Sequence, residues 1–530
     1  MWRKHVTQAR LVSLSLLIVV IAVAWYIRYG KPVMYSLGVT NNRVDTIFLP
    51  LDRERIAVPV DRQGSGGALA EWAGELVVLT HEGGFFEIKD SVARRIDLEP
   101  PQNYYEEYLE YVGTIDGLNP AGHFFRYNDI LVTEGLLVVS YSLWDPVEHC
   151  VSNAIATRQV GAELGEVQGD WTNIFVAAPC LPTAESGVAL QAHMAGGRIA
   201  ALGNGKIALA SGDYAFDDNY NSPAIAQLDE YQYGKVLEIE LATGAIRQLS
   251  RGHSNMQGIA TDRDGDIWIV EHGRRGGDEL NRIIEGADYG WPVTSLGTRY
   301  NRLPLPNITA YGRHDAAFEA PIYALLPSVA VSSMARIEGF DPTWDGDFLA
   351  GSLGGQALFR IRIQDGRVLF AERIPMSVRI RYVQQLSDGR LALWTDDHFV
   401  EFLTVGAADH SYSFAMTRIA GLDLNEHTAE AIRHALDTCS ECHNLGTVNS
   451  AAAPAIGSVF GRAVASNGWP DYSSALAERG GVWDSEALRQ FIDDPDAFAP
   501  GTMMPNPGID DADVLEGLVA LLRAMKEEPE

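Results

Sequence analysis

A glycine turn followed by an apolar, β-rich run recurs six times between about residues 35 and 405, where helical periodicity is scarce. The turn glycine supplies a backbone with positive φ, and the apolar residues after it form a strand. The six turn glycines are Gly74, Gly135, Gly205, Gly265, Gly346 and Gly389. Their mean spacing of about 63 residues accommodates four short strands with their loops. The repeat therefore predicts a six-bladed all-β propeller over residues 35–405, and the alternative is a pair of β-sandwiches with accidental glycine turns.

The C-terminal part carries a different signal, the pentapeptide Cys439-Ser440-Glu441-Cys442-His443. C-x-x-C-H is the attachment signature of a c-type haem. Cys439 and Cys442 would add to the haem vinyl groups, and His443 would become the proximal iron ligand. A redox dithiol or half of a zinc site needs no histidine at this position, and the chain offers no second C-x-x-C.

The second axial ligand is expected about 60 residues downstream, in Pro500-Gly501-Thr502-Met503-Met504-Pro505. Together with Gly457–Arg462 and Trp483-Asp484 between the two motifs, this order resembles class I cytochrome c. By that resemblance Met504 is the methionine ligand, and Met503 is the alternative one residue earlier. The resemblance implies a small all-α cytochrome c domain over residues 425–526, which accepts electrons and hands them on.

The charge balance narrows the range of partners. A formal net charge of −29 argues against binding nucleic acid and against binding an anionic membrane surface. The acidic residues are spread along the whole chain. This spread favours a solvated acidic surface, and an acidic docking face for a basic cytochrome is the alternative.

The N-terminus carries basic residues ahead of an apolar run from Leu11 to Ile27. A run of about 17 residues is at the short limit for spanning a bilayer. The excess of basic charge before the run predicts that the N-terminus stays in the cytoplasm. We therefore expect residues 1–30 to form a tail and a single-pass anchor in the bacterial inner membrane, with the bulk of the chain in the periplasm. Ala22-Val23-Ala24 resembles a signal-peptidase site, so a cleaved signal and a soluble periplasmic protein is the alternative.

Two cysteines, Cys150 and Cys180, remain outside the haem motif. Haem attachment of the c type implies a location outside the bacterial cytoplasm, where disulfides are permitted. We expect the two cysteines to pair, and two buried free thiols are the alternative.

The densest polar stretch of the propeller region runs from His253 to Pro292 and contains a turn rich in glycine and charge. Carbonyl and carboxylate oxygens of such a turn are the ligands that Ca²⁺ prefers, although an ordinary hydrophilic loop would look similar. The stretch, together with Gly196–Ile199 and Arg379–Val383, resembles the soluble quinoprotein glucose and aldose dehydrogenases. Those enzymes are six-bladed propellers that oxidise sugars with pyrroloquinoline quinone (PQQ) and Ca²⁺. The resemblance is firm over residues 190–295 and 335–400.

The resemblance implies roles for individual residues. His193 would be the catalytic general base, because a neutral imidazole can take the substrate hydroxyl proton near neutral pH. Gly273 and Arg274 would offer backbone carbonyls to Ca²⁺, which acts as a Lewis acid. Glu279 and Tyr289 would sit at a second, structural Ca²⁺.

Three further residues are implied to contact PQQ. Asn255 would touch the cofactor directly. Arg379 and Arg381 alternate along a predicted strand, so their side chains share one face and suit bidentate bonds to carboxylates. A hydrogen-bonded loop histidine at position 193 and solvated strand-face charges at 379 and 381 are the alternatives.

Three positions depart from the pattern of that family. Ala192 stands where an aspartate precedes the base, and Ser254 stands where an arginine is usual. A lysine found in some members is replaced within Ser352–Gly355, at about Gly354. These losses weaken the cofactor-anchoring charge, which fits either a divergent enzyme or a propeller that no longer binds PQQ.

We therefore expect a membrane-anchored periplasmic quinohaemoprotein dehydrogenase. An aldose or related polyhydroxy substrate would reduce PQQ, and the electrons would pass to haem c and then to a soluble cytochrome c or a terminal oxidase. Fusing the two centres replaces diffusional encounter by a high effective concentration, with residues 406–424 as the predicted linker. The alternative is a non-catalytic propeller that binds a sugar or partner beside an electron-transfer cytochrome c. A Ca²⁺-dependent hydrolase of the lactonase kind is disfavoured, because hydrolysis moves no electrons.

Overall fold

The structure is a computed structural model that describes residues 43–527 except 62–63, 116–124, 184–191, 219–222, 306–307, 309–313, 407–410, 448 and 451. The predicted membrane anchor between Leu11 and Ile27 lies outside these residues. Within the described part of the chain, no helix is long and apolar enough to cross a membrane. The chain divides into two compact units, which separate between Val405 and Gly406.

The first unit begins with two strands, β1 (Arg43–Asp45) and β2 (Pro50–Ala57). Blade 1 follows with β3 (Ala68–Trp72), β4 (Glu75–Leu79), β5 (Phe85–Lys89) and β6 (Val92–Arg95), and helix α1 (Tyr105–Gly113) leads to blade 2. Blade 2 contains β7 (Tyr127–Thr133), β8 (Leu136–Asp145), β9 (Cys150–Val160), β10 (Val167–Val176) and the short β11 (Leu181–Pro182). Blade 3 contains β12 (Gly196–Gly203), β13 (Lys206–Ser211), β14 (Lys235–Glu240) and β15 (Ile246–Arg251).

Blade 4 contains β16 (Asn255–Thr261), β17 (Ile267–His272) and β18 (Asp278–Arg282). The short β19 (Ala287–Asp288) then returns to pair parallel with β15, and β20 (Tyr323–Leu325) completes blade 4. Blade 5 contains β21 (Val331–Arg336), β22 (Phe348–Ser352), β23 (Ala357–Gln364) and β24 (Arg367–Pro375). Blade 6 contains β25 (Ile380–Gln385), β26 (Leu391–Thr395) and β27 (Phe399–Val405). The first three strands of each blade pair antiparallel in chain order, and the six sheets confirm the predicted six-bladed propeller.

The ring of blades is closed at two levels. The first strands contact one another in a complete circle, in the order β3, β7, β12, β16, β21, β25 and back to β3. The outer position of blade 6 is filled by β2, which pairs antiparallel with β27. Arg53 of β2 donates to Glu401 of β27 at 2.6 Å, and both side chains are buried. Pairing the two ends of the propeller sequence in one sheet closes the ring of blades.

The six predicted glycine turns join the first and second strands of the six blades. All six glycines have positive φ, between 72° and 90°. An L-residue with a side chain adopts this region at a cost, so glycine sets the hairpin that starts each blade. The apolar runs after the turns are the second strands, and they are buried between neighbouring sheets. One such layer joins Leu69 and Val78 of blade 1 to Trp394 and Phe402 of blade 6.

A disulfide between Cys150 and Cys180 ties the start of β9 to the segment before β11, as predicted. The Cα atoms are 5.6 Å apart, and the bond closes a loop across 30 residues of sequence. The closed loop holds β10 and the turn after it against the rest of blade 2.

The second unit is helical. Its helices are α2 (Ser411–Gly421), α3 (Glu426–Ser440), α4 (Ser474–Arg479), α5 (Ser485–Asp493), α6 (Pro495–Phe498) and α7 (Ala512–Ala524). Helices α3 and α7 pack through Ile432, Leu436, Leu518 and Leu522. A Cβ at Gly517 of α7 would lie 2.3 Å from the Cδ1 atom of Ile432. The absent side chain at this position therefore allows the close approach of the two helices.

The predicted linker over residues 406–424 needs correction. Helix α2 occupies most of that stretch, and its Ala415 and Ile419 are buried in the core of the helical unit. Their spacing of four residues places both side chains on one helix face. The helical unit therefore begins before residue 425.

Candidate functional site

The predicted propeller residues lie at one mouth of the central channel. In an antiparallel blade, the start of the first strand and the end of the second strand lie at the same end of the sheet. Asn255 opens β16, Arg379 directly precedes β25, and Gly273 directly follows β17. His193 lies in a short 3₁₀ turn just before β12. Three blades, the third, fourth and sixth, thus contribute side chains or backbone to this mouth.

His193 is half-buried, and its surroundings differ from those expected for the base of the family. Its carbonyl accepts a hydrogen bond from Nη2 of Arg126 at 3.2 Å. The preceding Ala192 is fully buried in an apolar cluster that also contains Tyr214 and Tyr233. No carboxylate therefore stands beside His193 at position 192, and the backbone contact with Arg126 fixes its turn instead.

Asn255 is the central polar contact of the mouth. Its Oδ1 accepts from the amide of Gly196 at 3.3 Å and from Nε2 of Gln257 at 2.7 Å. Its Nδ2 lies 3.5 Å from Nδ1 of His272, whose Nε2 contacts the carbonyl of Val331. Burial lowers the pKa of His272, which favours the neutral ring. A neutral ring with its proton on Nε2 can donate to Val331 and accept from Asn255, so the amide of Asn255 is held in one orientation.

Arg379 and Arg381 converge on one carboxylate, that of Asp396. Arg381 makes two bonds to it, at 2.8 and 3.0 Å, and Arg379 makes one at 2.8 Å. Burial opposes ionisation of Asp396, but the two arginines outweigh it and lower its pKa. The shared face predicted for the pair is confirmed. The solvated alternative fails for Arg381, whose side chain is 5% exposed, whereas that of Arg379 is 45% exposed.

The turn after β17 contains the predicted Ca²⁺ carbonyls. A Cβ at Gly273 would lie 2.3 Å from two backbone carbonyl oxygens, so the turn requires glycine there. The amide of Gly273 donates to Oδ1 of Asp278 at 3.0 Å, and the Arg274 side chain pairs with Asp217. Neither the Gly273 nor the Arg274 carbonyl accepts a hydrogen bond from a described residue. Two unpartnered carbonyls in adjacent positions fit a Ca²⁺ ion, which prefers oxygen ligands.

Glu279 and Tyr289 line a second, small cavity of about 280 Å³ with Glu271. Burial and the neighbouring Glu271 raise the pKa of Glu279 to about 8. The Tyr289 hydroxyl is already used, because it donates to the Arg282 carbonyl and accepts from the amide of Ile284. A buried carboxylate, Glu271, and a half-buried one, Glu279, fit a cation at this cavity. Among the described residues, however, no group of three or more His, Cys, Asp or Glu side chains has metal-binding geometry.

Two positions of the mouth lack the charge expected there. Ser254 is buried, and its amide donates to Glu271 at 2.9 Å. A Cβ at Gly354 would lie 3.0 Å from the carbonyl oxygen of Val329. Neither position brings a cation to the mouth.

Sequence reasoning missed Arg126, Arg198, His272 and Asp396 as members of the mouth. Arg198 is buried under the mouth, donates to the carbonyl of Asn128 at 2.8 Å and lies over the ring of Tyr382. His272 lies inside a matched motif, but the resemblance implies no role for it. Arg198 lies in the matched Gly196–Ile199 segment, but the resemblance implies no role for it, and Arg126 lies outside every matched motif. Only the fold shows that both arginines bond to Asn128.

The second site is a mostly apolar cavity in the helical unit. Cys439, Cys442 and His443 line it at the end of α3, and both thiols are free. Nδ1 of His443 bonds to the Pro454 carbonyl at 2.7 Å. Burial lowers the pKa of His443, which favours the neutral imidazole. A histidine that donates from one ring nitrogen to a carbonyl presents the other nitrogen as a metal ligand, so the residues fit a haem.

Both candidate methionines border the same cavity, but their exposure differs. The side chain of Met503 is 66% exposed, whereas Met504 is half-buried. An axial ligand must point into the haem pocket, away from solvent. The geometry therefore favours Met504.

Known proteins match both units. The sequence model of the Glucose / Sorbosone dehydrogenase family matches residues 132–403, just over half of the chain. Aldose sugar dehydrogenase YliI of Escherichia coli (strain K12) is 29% identical over 273 residues, covering 48% of this chain and 68% of that protein. An uncharacterized protein of Synechocystis sp. (strain ATCC 27184 / PCC 6803 / Kazusa) is 36% identical over 152 residues, covering 28% of this chain and only 36% of that protein.

A crystal structure of glucose dehydrogenase is similar with a TM-score of 0.54 and 25% identity, covering 64% of this chain and 96% of that one. Cytochrome c-554 of Methylosinus trichosporium is 33% identical over 111 residues, covering 21% of this chain and 80% of that protein. The matched residues lie in the same two units that contain the two sites. The chain belongs to the glucose/sorbosone dehydrogenase family through its propeller, and it carries a cytochrome c at its C-terminal end.

Proposed function

We propose that this chain is a quinohaemoprotein dehydrogenase that oxidises an aldose or a related polyhydroxy compound. The observation that carries the proposal is that one chain holds a cationic mouth with His193 and Asn255 and a mostly apolar cavity bordered by Cys439, Cys442 and His443. A dehydrogenase needs an acceptor for its electrons, and the second cavity suits such a carrier. The family relationship supports the sugar substrate.

When bound, PQQ supplies a two-electron oxidant, Ca²⁺ polarises it, and haem c supplies a one-electron carrier. Asn255, Arg379 and Arg381 would hold PQQ, and the carbonyls of Gly273 and Arg274 would hold Ca²⁺. A second Ca²⁺ would lie between Glu279 and Tyr289. Cys439 and Cys442 would bind haem covalently.

His193 would take the proton of the substrate hydroxyl. Its turn is held by the bond from Arg126 to its backbone carbonyl, and position 192 supplies no carboxylate to orient the ring. Asn255 is held by Gly196 and His272 and presents one fixed amide face. In the helical unit, the bond from His443 to Pro454 would orient the proximal imidazole, and Met504 would bind the opposite face.

We also propose that the chain is anchored in the bacterial inner membrane by its N-terminal apolar run, with both units in the periplasm. The disulfide between Cys150 and Cys180 supports an oxidising compartment. A soluble cytochrome c or a terminal oxidase would receive the electrons, and the acidic composition suits a basic partner.

The test is optical. The full chain, produced with c-type haem maturation, is mixed with PQQ, Ca²⁺ and a panel of aldoses, and the absorbance of reduced haem is followed. We expect reduction only when PQQ and sugar are both present. His193→Gln should slow it by about 100-fold or more, whereas His427→Gln, on the exposed face of α3, should not.

A second candidate function, a propeller that only binds its ligand, is favoured by the neutral residues at Ala192, Ser254 and Gly354. A chain that does not bind PQQ, and whose haem is reduced by dithionite but never by PQQ with any aldose, would support this second function and sink the first. PQQ binding without haem reduction would show that only the substrate or the electron path was misjudged.

A further inference from the structure

Arg126 is a buried cation at the mouth of the channel, and no described carboxylate pairs with it. It lies immediately before β7 and is 5% exposed. Its Nε donates to Oδ1 of Asn128 at 3.2 Å, and its Nη2 donates to the carbonyl of His193 at 3.2 Å. Both acceptors are neutral. No carboxylate of the described residues lies within 4.0 Å of this guanidinium.

Other buried arginines of the propeller are neutralised. Arg53 pairs with Glu401 at 2.6 Å, and Arg360 pairs with Glu372 at 2.7 Å and with Asp347 at 3.1 Å. A buried charge without a partner carries a large desolvation cost. Burial, with Arg381 and Arg198 nearby, lowers the pKa of Arg126 to about 9. The side chain is still a cation at neutral pH, so its positive charge is available to bind an anionic group.

The part of the mouth built by blades 2, 3 and 6 carries an excess of positive charge, whereas Arg274 of blade 4 pairs with Asp217. Arg381 and Arg379 share the single carboxylate of Asp396, and Arg198 lies 3.9 Å from Asp129. Four guanidinium groups, with Arg126, thus face two carboxylates. Ser254 and Gly354 add no charge. An anion is the ligand that this arrangement would stabilise.

Gly66 lies against the stem of Arg126, beside the side chain of His81. A Cβ at Gly66 would lie 2.9 Å from Cδ of Arg126, and Gly66 has a φ of 137°. The backbone conformation therefore requires glycine, and the glycine leaves the arginine stem room to lie in the mouth. The same glycine is fixed from the other side, because its carbonyl accepts from Nε1 of Trp394 at 2.8 Å.

We propose that Arg126 binds a carboxylate of the ligand held at this mouth. This inference rests on the proposed dehydrogenase function, and it adds a binding residue that the motif analysis did not include. The carboxylate has two sources: the anionic cofactor, or a substrate such as a uronic acid, which is an aldose that carries its own carboxylate. Bidentate guanidinium–carboxylate bonding is the shared chemistry.

The first arm measures cofactor binding to the full chain by equilibrium dialysis with PQQ and Ca²⁺. If the carboxylate belongs to the cofactor, Arg126→Gln raises the Kd for PQQ by about 10-fold to 100-fold. Arg126→Lys keeps the positive charge but cannot bond in the bidentate way of a guanidinium group. Its Kd for PQQ should therefore lie between those of the wild type and Arg126→Gln. The exposed Arg94→Gln should bind as the wild type does.

The second arm compares glucuronate with glucose as substrates at saturating PQQ. If the carboxylate belongs to the substrate, Arg126→Gln leaves the PQQ Kd unchanged and lowers the preference for glucuronate by about 10-fold or more. If both the Kd and the preference are unchanged, the inference is overturned. If the wild type does not bind PQQ, the proposed function fails, and dialysis of glucuronate alone against wild type and Arg126→Gln then decides the inference.

A stability measurement separates ligand binding from a structural role. Arg360→Gln removes a cation that has two carboxylate partners and should lower the melting temperature of the ligand-free chain. Arg126→Gln removes an unpaired cation and should leave that temperature unchanged or raise it, while the increase caused by PQQ or glucuronate becomes smaller. A decrease for Arg126→Gln as large as that for Arg360→Gln would show that Arg126 supports the fold instead.

Discussion

Asp396 is the carboxylate on which the arginines of the mouth depend, so its replacement gives a quantitative test. Asp396→Asn leaves the buried Arg381 without a counter-ion. Removing one partner of a buried ion pair costs about 3–5 kcal/mol. Arg379 is 45% exposed, so solvent screening limits its own loss to about 1 kcal/mol or less. Because the asparagine oxygen still accepts one hydrogen bond, we expect the free energy of unfolding to fall by about 3 kcal/mol.

The loss should depend on pH in a defined direction. The pKa of Asp396 is lowered in the folded state, because the arginines outweigh the effect of burial. A lowered pKa stabilises the fold above the unfolded-state pKa of about 4, and this contribution is lost as pH falls through the folded-state value. The stability difference between wild type and Asp396→Asn should therefore be full near neutral pH and should shrink in acid.

Differential scanning calorimetry of the full chain measures both effects. A loss of about 3 kcal/mol should lower the melting temperature of the propeller by about 4 °C, and the transition of the helical unit should not move. The control is Asp388→Asn, because Asp388 pairs with Arg390 on the surface of the same blade. This substitution should lower the free energy of unfolding by less than about 1 kcal/mol. A propeller transition unchanged by Asp396→Asn, or a difference that persists in acid, would refute this account of the charge balance.

Three further predictions concern single contacts. Met504→Ala should remove methionine ligation from the haem spectrum and lower the reduction potential, whereas Met503→Ala should alter neither. Replacing both disulfide cysteines of the propeller with alanine should lower its free energy of unfolding by about 3 kcal/mol, measured by calorimetry, because a loop of 30 residues is opened. Gly517→Val should destabilise the helical unit by about 1–3 kcal/mol through overpacking, and Ile432→Ala in the same chain should recover part of that loss in a double-mutant cycle.

The propeller was predictable because its signal is local and repeated. Each blade starts with a hairpin whose glycine needs positive φ, and the six copies give the blade number directly. The closing strand β2 was not predictable in the same way. Its sequence reads as an ordinary edge strand, and its partner β27 lies at the opposite end of the propeller sequence. Helix α2 is hard to predict, because the single amphipathic turn of Ala415 and Ile419 is a weak signal beside the Gly406-Ala407-Ala408 boundary.

The two functional sites also differ in how local their sequence signals are. Cys439, Cys442 and His443 form a contiguous motif, so the cavity was located from the sequence alone. Arg381 was found because it alternates with Arg379, but its counter-ion was not assigned. Arg126 could not be found, because a lone arginine in a sequence carries no sign of burial. Only the fold shows that it sits beside His193 and that no described carboxylate pairs with it.

The charge distribution reconciles an acidic protein with an anionic ligand. The chain carries 70 acidic and 41 basic residues, so its long-range field repels anions. That repulsion is screened beyond about 8–10 Å at physiological ionic strength. Arg126 and Arg381 are buried at the mouth, where a lower effective dielectric constant makes each contact several times stronger than in water. We therefore expect the proposed anionic ligand to be held only once it is seated in the channel, while the acidic exterior would favour a basic electron acceptor only within the same screening distance. The acidic surface would then not weaken binding of the ligand, because the buried arginines act at direct contact.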